Sequence, residues 1–339
     1  MKQASPFVLA ALVVHFASFA PTCISAEPFK AQTTVKLNRG FWELSGVRTY
    51  KGAEAEGLLL NVRMVNSTFE DRNPSTCPKG FDPEKNTDLF IAKIPDYAAQ
   101  GVRAFTLSFQ GGSPGYKGAL NSAFEPDGSL RMGYADRVGR VIEACDRLGL
   151  AVILGLFYQE QDQVLKDDAA VKSAVVHAAT WVKDRGYTNV ALEIANEFQH
   201  DGFDRQIIKS PTGMVELIEL ARQTTPGLLV STSGMGGGRL NPVVQTPASF
   251  LLLHFNSIPI DEIQDRAATA RKISKAIVCN EDDKTAQAGA DALQAASDAM
   301  CSWGYMNKEK NQFYPFKFEG AADDPIVYAK MKSLTTKKP

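Results

Sequence analysis

Residues 189–200 read NVALEIANEFQH: an apolar, strand-like run that ends in an amide and a carboxylate, Asn196 and Glu197, where a turn would be expected. Seven other short apolar runs are spaced along the chain: GLLLNVRMV (57–65), GVRAFTLSF (101–109), LAVILGLF (150–157), GLLVSTS (227–233), FLLLHFN (250–256), KAIVCNE (275–281) and MCSWGYM (300–306). Helical periodicity fills the gaps between them. Val138, Val141, Ile142, Cys145 and Leu148 recur at i, i+3, i+4 and i+7 ahead of Gly149, and Val171, Ala174, Val175, Ala178, Trp181 and Val182 repeat the stripe ahead of Gly186. Ser210 followed by Pro211 predicts a cap and first helical residue for a helix carrying Met214, Leu217, Ile218 and Ala221.

Strands apolar on both faces and joined by helices belong to a parallel sheet covered on both sides. Eight in one chain of this length predict an α/β fold, a closed (β/α)₈ barrel, over an open doubly wound sheet. Residues 27–56 precede the first barrel strand and predict a short N-terminal β-hairpin closing the bottom of the barrel. No linker, repeat or low-complexity tract interrupts residues 27–339, which are expected to form a single domain.

The 339 residues are 44% hydrophobic and 22% charged, with a formal net charge of −1. That balance gives no reason to expect nucleic acid as a partner. Lys2, the apolar stretch FVLAALVVHFASFA and the small-residue segment PTCISAEP predict a signal peptide cleaved near Ala26. The apolar run is shorter than the roughly 20 residues of a membrane span. The mature chain is therefore expected to be secreted or periplasmic, without a membrane span, and a monomer. It keeps Cys77, Cys145, Cys279 and Cys301, too few for a disulfide scaffold. Cys279 and Cys301 fall on neighbouring predicted strands, with their bonding left open.

Active sites of such barrels are built where the strands end. Asn196 and Glu197 close strand four, His254 strand six, and Asn280 and Glu281 strand seven. Strands four and seven face each other across the barrel, so the two glutamates can converge on one cleft. Paired carboxylates, one protonated and one ionised, are what glycoside hydrolysis requires. A cofactor is not called for.

These residues resemble those of clan A (β/α)₈ glycoside hydrolases, in particular the cellulase-like family 5, over residues 57–306. The resemblance implies that Asn196 contacts the sugar 2-hydroxyl, Glu197 is the acid/base, Glu281 the nucleophile and Trp303 a sugar platform, with His254 at a position where the family often has one. The chain departs from family 5 at Thr106, where an Arg is usual, at Phe157 and Tyr158, where a His is usual, and at Asn256, where a Tyr is common. The resemblance is thus a divergent one, and it implies a retaining β-glycoside hydrolase acting on a β-linked oligo- or polysaccharide.

Tyr158 and Asn256 are further candidates to touch substrate, with Phe198 and Tyr116 as looser ones. Glu193 reads as a charge inside the barrel needing a partner such as Arg63, and Asp282 and Asp283 as caps of the following helix. QGGSPGYKG (110–118) reads as a long loop over the active face, and SGMGGGR (233–239) lacks the Lys-Ser/Thr of a phosphate loop. Two other readings compete: a metal-dependent barrel enzyme using Glu197, His254, Glu281 and Asp282, and a carbohydrate-binding protein that has lost turnover.

Overall fold

A computed structural model describes Met1, residues 29–111 and residues 116–338; the expected signal peptide and residues 112–115 of the long loop lie outside the described residues. The chain begins with a three-stranded antiparallel sheet, β1 (Val35–Asn38), β2 (Phe41–Leu44) and β3 (Val47–Arg48). This is one strand more than the expected hairpin. Eight barrel strands follow: β4 (Asn61–Arg63), β5 (Ala104–Ser108), β6 (Ala151–Phe157), β7 (Val190–Ala195), β8 (Leu229–Ser231), β9 (Leu251–His254), β10 (Ile277–Glu281) and β11 (Gly304–Tyr305). Each lies within its predicted run.

Strands β11-β4-β5-β6-β7-β8 form one parallel sheet and β9-β10 a parallel pair. Parallel bridges Ser233↔Leu252, Val278↔Ser302 and Asp282↔Tyr305 join the two sets, closing the barrel. The helices are α1 (Pro83–Ala98), α2 (Met132–Arg147), α3 (Asp168–Asp184), α4 (Gln206–Lys209), α5 (Pro211–Thr224), α6 (Pro242–Gln245), α7 (Ile260–Arg271), α8 (Ala286–Asp298) and α9 (Pro325–Thr335). The Ser210 hydroxyl caps α5 by accepting from the Gly213 N–H, as predicted. Between β8 and β9 the crossover is only the single turn of α6, shorter than the helix the repeating pattern implies. On α2 the stripe is buried through Cys145, but Leu148 falls just past the last helical residue and is exposed.

The two faces of the strands differ. Outward residues such as Leu60, Val62, Phe105, Leu107, Leu154 and Leu192 pack with the helices in the larger core. Inward, only the lowest layer is apolar: Leu59, Ala104, Ala151, Ile153, Ala191, Leu252 and Val278 cluster with Val35 and Trp42 of the N-terminal sheet. Trp42 packs edge to face on Phe250, with centroids 5.3 Å apart. One layer higher the interior holds Asn61, Arg63, Thr106, Ser108, Glu193 and Asn280, all buried. The expectation of strands apolar on both faces therefore holds only at the bottom, and the polar upper layer is the floor of the site.

Cys77, Cys145, Cys279 and Cys301 are free, so Cys279 and Cys301 are not bonded to each other. Among the described residues no helix is long and apolar enough to cross a membrane.

Candidate active site

Glu197 and Glu281 meet at the C-terminal mouth of the barrel. One oxygen of each, together with a nitrogen of His254, lies within 4.8 Å of the other two. His254 Nδ1 stands 3.0 Å from Glu197 Oε1 and 3.7 Å from Glu281 Oε2, with the imidazole fully buried. Such a group of two carboxylates and a histidine could also hold a divalent cation. Asp282, expected in that ligand set, faces elsewhere: its carboxylate accepts from the Trp303 indole N–H at 2.9 Å and from Lys284 Nζ at 2.9 Å.

Local backbone irregularities aim both glutamates. Glu197 lies two residues beyond the end of β7 and has φ of +49°, a left-handed conformation that costs a non-glycine residue roughly 1–2 kcal/mol. Ser233 at the exit of β8 stabilises it: its hydroxyl accepts the Glu197 N–H at 2.8 Å and its carbonyl the Phe198 N–H at 3.2 Å. Across the barrel, the β9/β10 register shifts between Cys279 and Glu281. Successive residues of a regular strand point to opposite faces, and a bulge relaxes that rule. Asn280 can thus donate inward to Glu193 at 3.0 Å while its neighbour Glu281 also reaches the cleft.

The two carboxylates have different partners. Arg63, buried at the end of β4, sets Nε 3.0 Å from Glu281 Oε2 and donates from Nη2 to Asn196 Oδ1 at 2.9 Å. Asn256 donates to Glu281 Oε1 at 2.5 Å. Burial pushes the Glu281 carboxyl up, but the charges of Arg63 and His254 and the Asn256 hydrogen bond outweigh it and hold the group below the ordinary carboxylate range. Glu197 is met instead by His254 at 3.0 Å, and Gln159 Nε2 approaches its Oε2 at 3.4 Å. Burial pushes His254 down, yet Glu281 and Glu197 together raise it above the usual histidine value. Deeper in the barrel, burial raises Glu193 against the opposing pull of His254 and Arg63.

Several expectations are corrected by these contacts. Arg63 forms its ion pair with Glu281 and not with Glu193, whose carboxylate is met by Asn280. Trp303 is fully buried, stacked on Tyr305 in the outer core, and presents no face to the cleft. Asp282 and Asp283 cap nothing: α8 begins after Thr285, Asp283 pairs with Lys308, and the Ala286 N–H is taken by Asp324 at 2.7 Å. Phe198 is buried within the larger core. Tyr116 lies to one side, edge-on to Phe69 and Tyr314 in a cleft lined also by Gly111 and Gln161.

Of the other sequence candidates, Asn196, Tyr158 and Asn256 do gather around the carboxylates. Tyr158 lies under the Arg63 guanidinium, 5.8 Å from its ring centre. Gly111, at φ +100°, passes so close that a Cβ there would come within 2.1 Å of the Tyr158 ring. Gln159 bridges Asn196 Nδ2 (3.1 Å) and Glu197. Gln159 and Ser233 carry no signal of this role in the sequence; Arg63 enters the sequence reading only as a partner for Glu193, whereas it pairs with Glu281. Where family 5 has an Arg on strand two, the guanidinium beside Glu281 here comes from strand one.

The closed barrel with its site at the strand ends defines the class of fold. No family model and no curated protein sequence matches the chain. In three dimensions the chain is similar to a GH5-4 broad specificity endoglucanase from Clostridium longisporum (TM-score 0.59, 10% identity, covering 85% of this chain and 99% of that one). It is also similar to one from an uncultured bovine rumen ciliate (TM-score 0.58, 13% identity, 85% and 98% covered). A third similar structure, from Bacteroides vulgatus and provisionally named a glycoside hydrolase, has a TM-score of 0.62 at 13% identity; 89% of this chain is covered, and it spans 60% of that protein's length. At such identities the likeness establishes the (β/α)₈ fold, as the resemblance implied.

Proposed function

We propose that the chain is a retaining β-glycoside hydrolase, exported by its N-terminal segment, that acts on a β-linked oligo- or polysaccharide without a cofactor. The observation that carries this reading is the pair of carboxylates at the barrel mouth, with oxygens within 4.8 Å and unlike surroundings. Oxygens that approach within 4.8 Å are compatible with carboxyl groups about 5–5.5 Å apart, the separation of retaining enzymes. The GH5-4 endoglucanases that share the fold support a β-glucan as the first substrate to try.

The environments assign the roles. Glu281, held ionised by Arg63, attacks the anomeric carbon, forming an ester bond as the bond to the leaving oxygen breaks. Glu197 gives its proton to that oxygen. In the second half, Glu197 takes a proton from water, the water oxygen bonds to the anomeric carbon, and Glu281 leaves as carboxylate. Asn196, its carbonyl oriented by Arg63 and its amide by Gln159, is the candidate to hydrogen-bond the sugar 2-hydroxyl. His254 stands between the carboxylates, 3.0 Å from Glu197 and 3.7 Å from Glu281, and Tyr158 and Asn256 line the cleft.

The test is reducing-sugar release from β-glucan, mannan, xylan and galactan by the wild type, Glu197→Ala and Glu281→Ala. Hydrolysis by the wild type and a loss of at least about 10³-fold in each variant is expected. Azide should rescue the two variants on an aryl glycoside with opposite anomeric products, β from Glu197→Ala and α from Glu281→Ala. The triad that could hold a cation gives a second reading, separated by a chelator: loss of activity with EDTA and return with metal would replace the two-carboxylate mechanism. Sugar binding without turnover would mark a binding protein instead.

A further inference from the structure

His254 makes its contacts from one edge of the ring. Nδ1 faces Glu197 at 3.0 Å and Glu281 at 3.7 Å, whereas Nε2 is buried and makes no hydrogen bond to a described residue. A buried polar atom seldom goes unpaired, and which ring nitrogen carries the proton follows from what the other one meets. The partner of Nε2 therefore decides what Nδ1 can offer Glu197. The polar layer under the site holds a carboxylate with an oxygen to spare. Glu193 is 2% exposed; Asn280 donates to its Oε2 at 3.0 Å, and its Oε1 is buried without a hydrogen bond to a described residue. Burial raises this carboxyl, and of the charges opposing that rise His254 exerts the strongest pull, ahead of Arg63, with the Ser233 hydroxyl adding to it. A carboxylate enclosed in the barrel costs stability that an apolar side chain would not, and the two-carboxylate reaction makes no use of it.

We propose that Glu193 is a positioning residue for the acid/base: its spare oxygen accepts the His254 Nε2–H, directly or through one water, and so leaves Nδ1 as an acceptor facing Glu197. A neutral imidazole carries one proton, so a proton fixed on Nε2 is one that Nδ1 does not have. The 3.0 Å contact between Nδ1 and Glu197 is then a hydrogen bond only while Glu197 keeps its proton, the one the leaving oxygen needs. With the proton on Nδ1 instead, the same contact would favour Glu197 as a bare carboxylate, the wrong form for the first step. The inference rests on the glycoside hydrolase reading for its consequence, whereas the pairing of Glu193 with His254 can be read without turnover.

The experiment compares the wild type with Glu193→Gln, which keeps an oxygen for Asn280 but turns an amide N–H toward Nε2, and with Glu193→Met, which offers Nε2 no acceptor. Nitrogen NMR of the imidazole rings at pH 7, with His254 identified by substituting His177 and His200, should show Nε2 protonated in the wild type and the proton moved to Nδ1 in the glutamine variant. On aryl glycosides of whichever sugar the wild type hydrolyses, kcat/KM for the phenyl glycoside should fall by about 10- to 100-fold in both variants, while the 2,4-dinitrophenyl glycoside, whose leaving group needs no proton, stays within about threefold. A merely structural role for Glu193 would lower both rates together. Nε2 unprotonated in the wild type, ring nitrogens unchanged in both variants, or equal losses on the two glycosides overturns the role of Glu193 and leaves the hydrolase reading standing. A wild type inert on every glycan and aryl glycoside overturns the hydrolase reading and with it the role in acid catalysis, even where the nitrogen signals bear out the pairing.

Discussion

Arg63 is the group on which the unlike character of the two carboxylates depends, and Arg63→Met tests it. The guanidinium is 1% exposed and the Glu281 side chain 8%, so the pair is screened little by solvent. Removing one member of a buried pair costs about 3–5 kcal/mol, because the remaining charge is stranded. Arg63 also repels His254, and losing that repulsion offsets part of the cost. The expectation is therefore near the lower end, about 3 kcal/mol at pH 7, or roughly 4–5 °C in Tm for a chain of this size.

The pH dependence has a definite sign. Glu281 titrates below its unfolded value of about 4.3, so the stability it confers is present above that pH and is lost as pH falls through its folded value. Without Arg63, burial acts against less opposition and the carboxyl moves up, shrinking or reversing the contribution. The gap between wild type and variant should thus be widest near neutrality and narrow on acidification toward pH 4. Urea and thermal unfolding followed by circular dichroism at pH 7 and pH 4 measure both quantities. The same substitution in a Glu281→Gln background should cost less, since the stranded charge is gone. A loss below about 1 kcal/mol at pH 7, a gap independent of pH, or an undiminished cost in the Glu281→Gln background would refute the reasoning, because each requires Arg63 and Glu281 to be energetically uncoupled.

Trp303→Phe separates a structural tryptophan from a sugar platform. Loss of the indole N–H leaves the buried Asp282 carboxylate short of a donor, so stability should fall by about 1–3 kcal/mol with KM unchanged; unchanged stability with a severalfold higher KM would return Trp303 to the cleft. At the other end of the barrel, Asp146 accepts the N–H groups of Gln32 and Thr33, both at 2.8 Å, while its carbonyl accepts the Thr33 hydroxyl at 2.6 Å. Asp146→Ala should cost about 2–4 kcal/mol in urea unfolding and speed proteolysis ahead of β1; a loss under about 0.5 kcal/mol would mean the N-terminal segment is held by other contacts.

Much of the architecture was open to reading from the chain alone, for a physical reason. The outward faces of the barrel strands meet helices, so Leu60 and Val62, Phe105 and Leu107, Leu154 and Leu192 must all be apolar, and the helices facing them must carry stripes such as Val138, Val141, Ile142 and Cys145. Period and order are local properties, and eight repeats leave few closed arrangements. The positions of Glu197 and Glu281 at strand exits follow from the same periodicity. The turn of α6 was less legible because one short helical turn leaves no period to detect.

What tertiary structure alone decided is direction. Whether Trp303 faces the cleft or the helices depends on strand parity within a closed barrel, and a run of apolar residues carries no mark of it. Arg63 could have met Glu193 or Glu281, both inward-facing; the shift in β9/β10 register brings Glu281 to its Nε and leaves Glu193 to Asn280. The left-handed φ of Glu197 is likewise invisible until segments far apart in sequence are in contact. Sequence determined which groups were available at the mouth of the barrel, since periodicity is written residue by residue. Their pairing, and so which carboxylate is held ionised, arose only on closure, because a charge partner is chosen by distance in space and not along the chain.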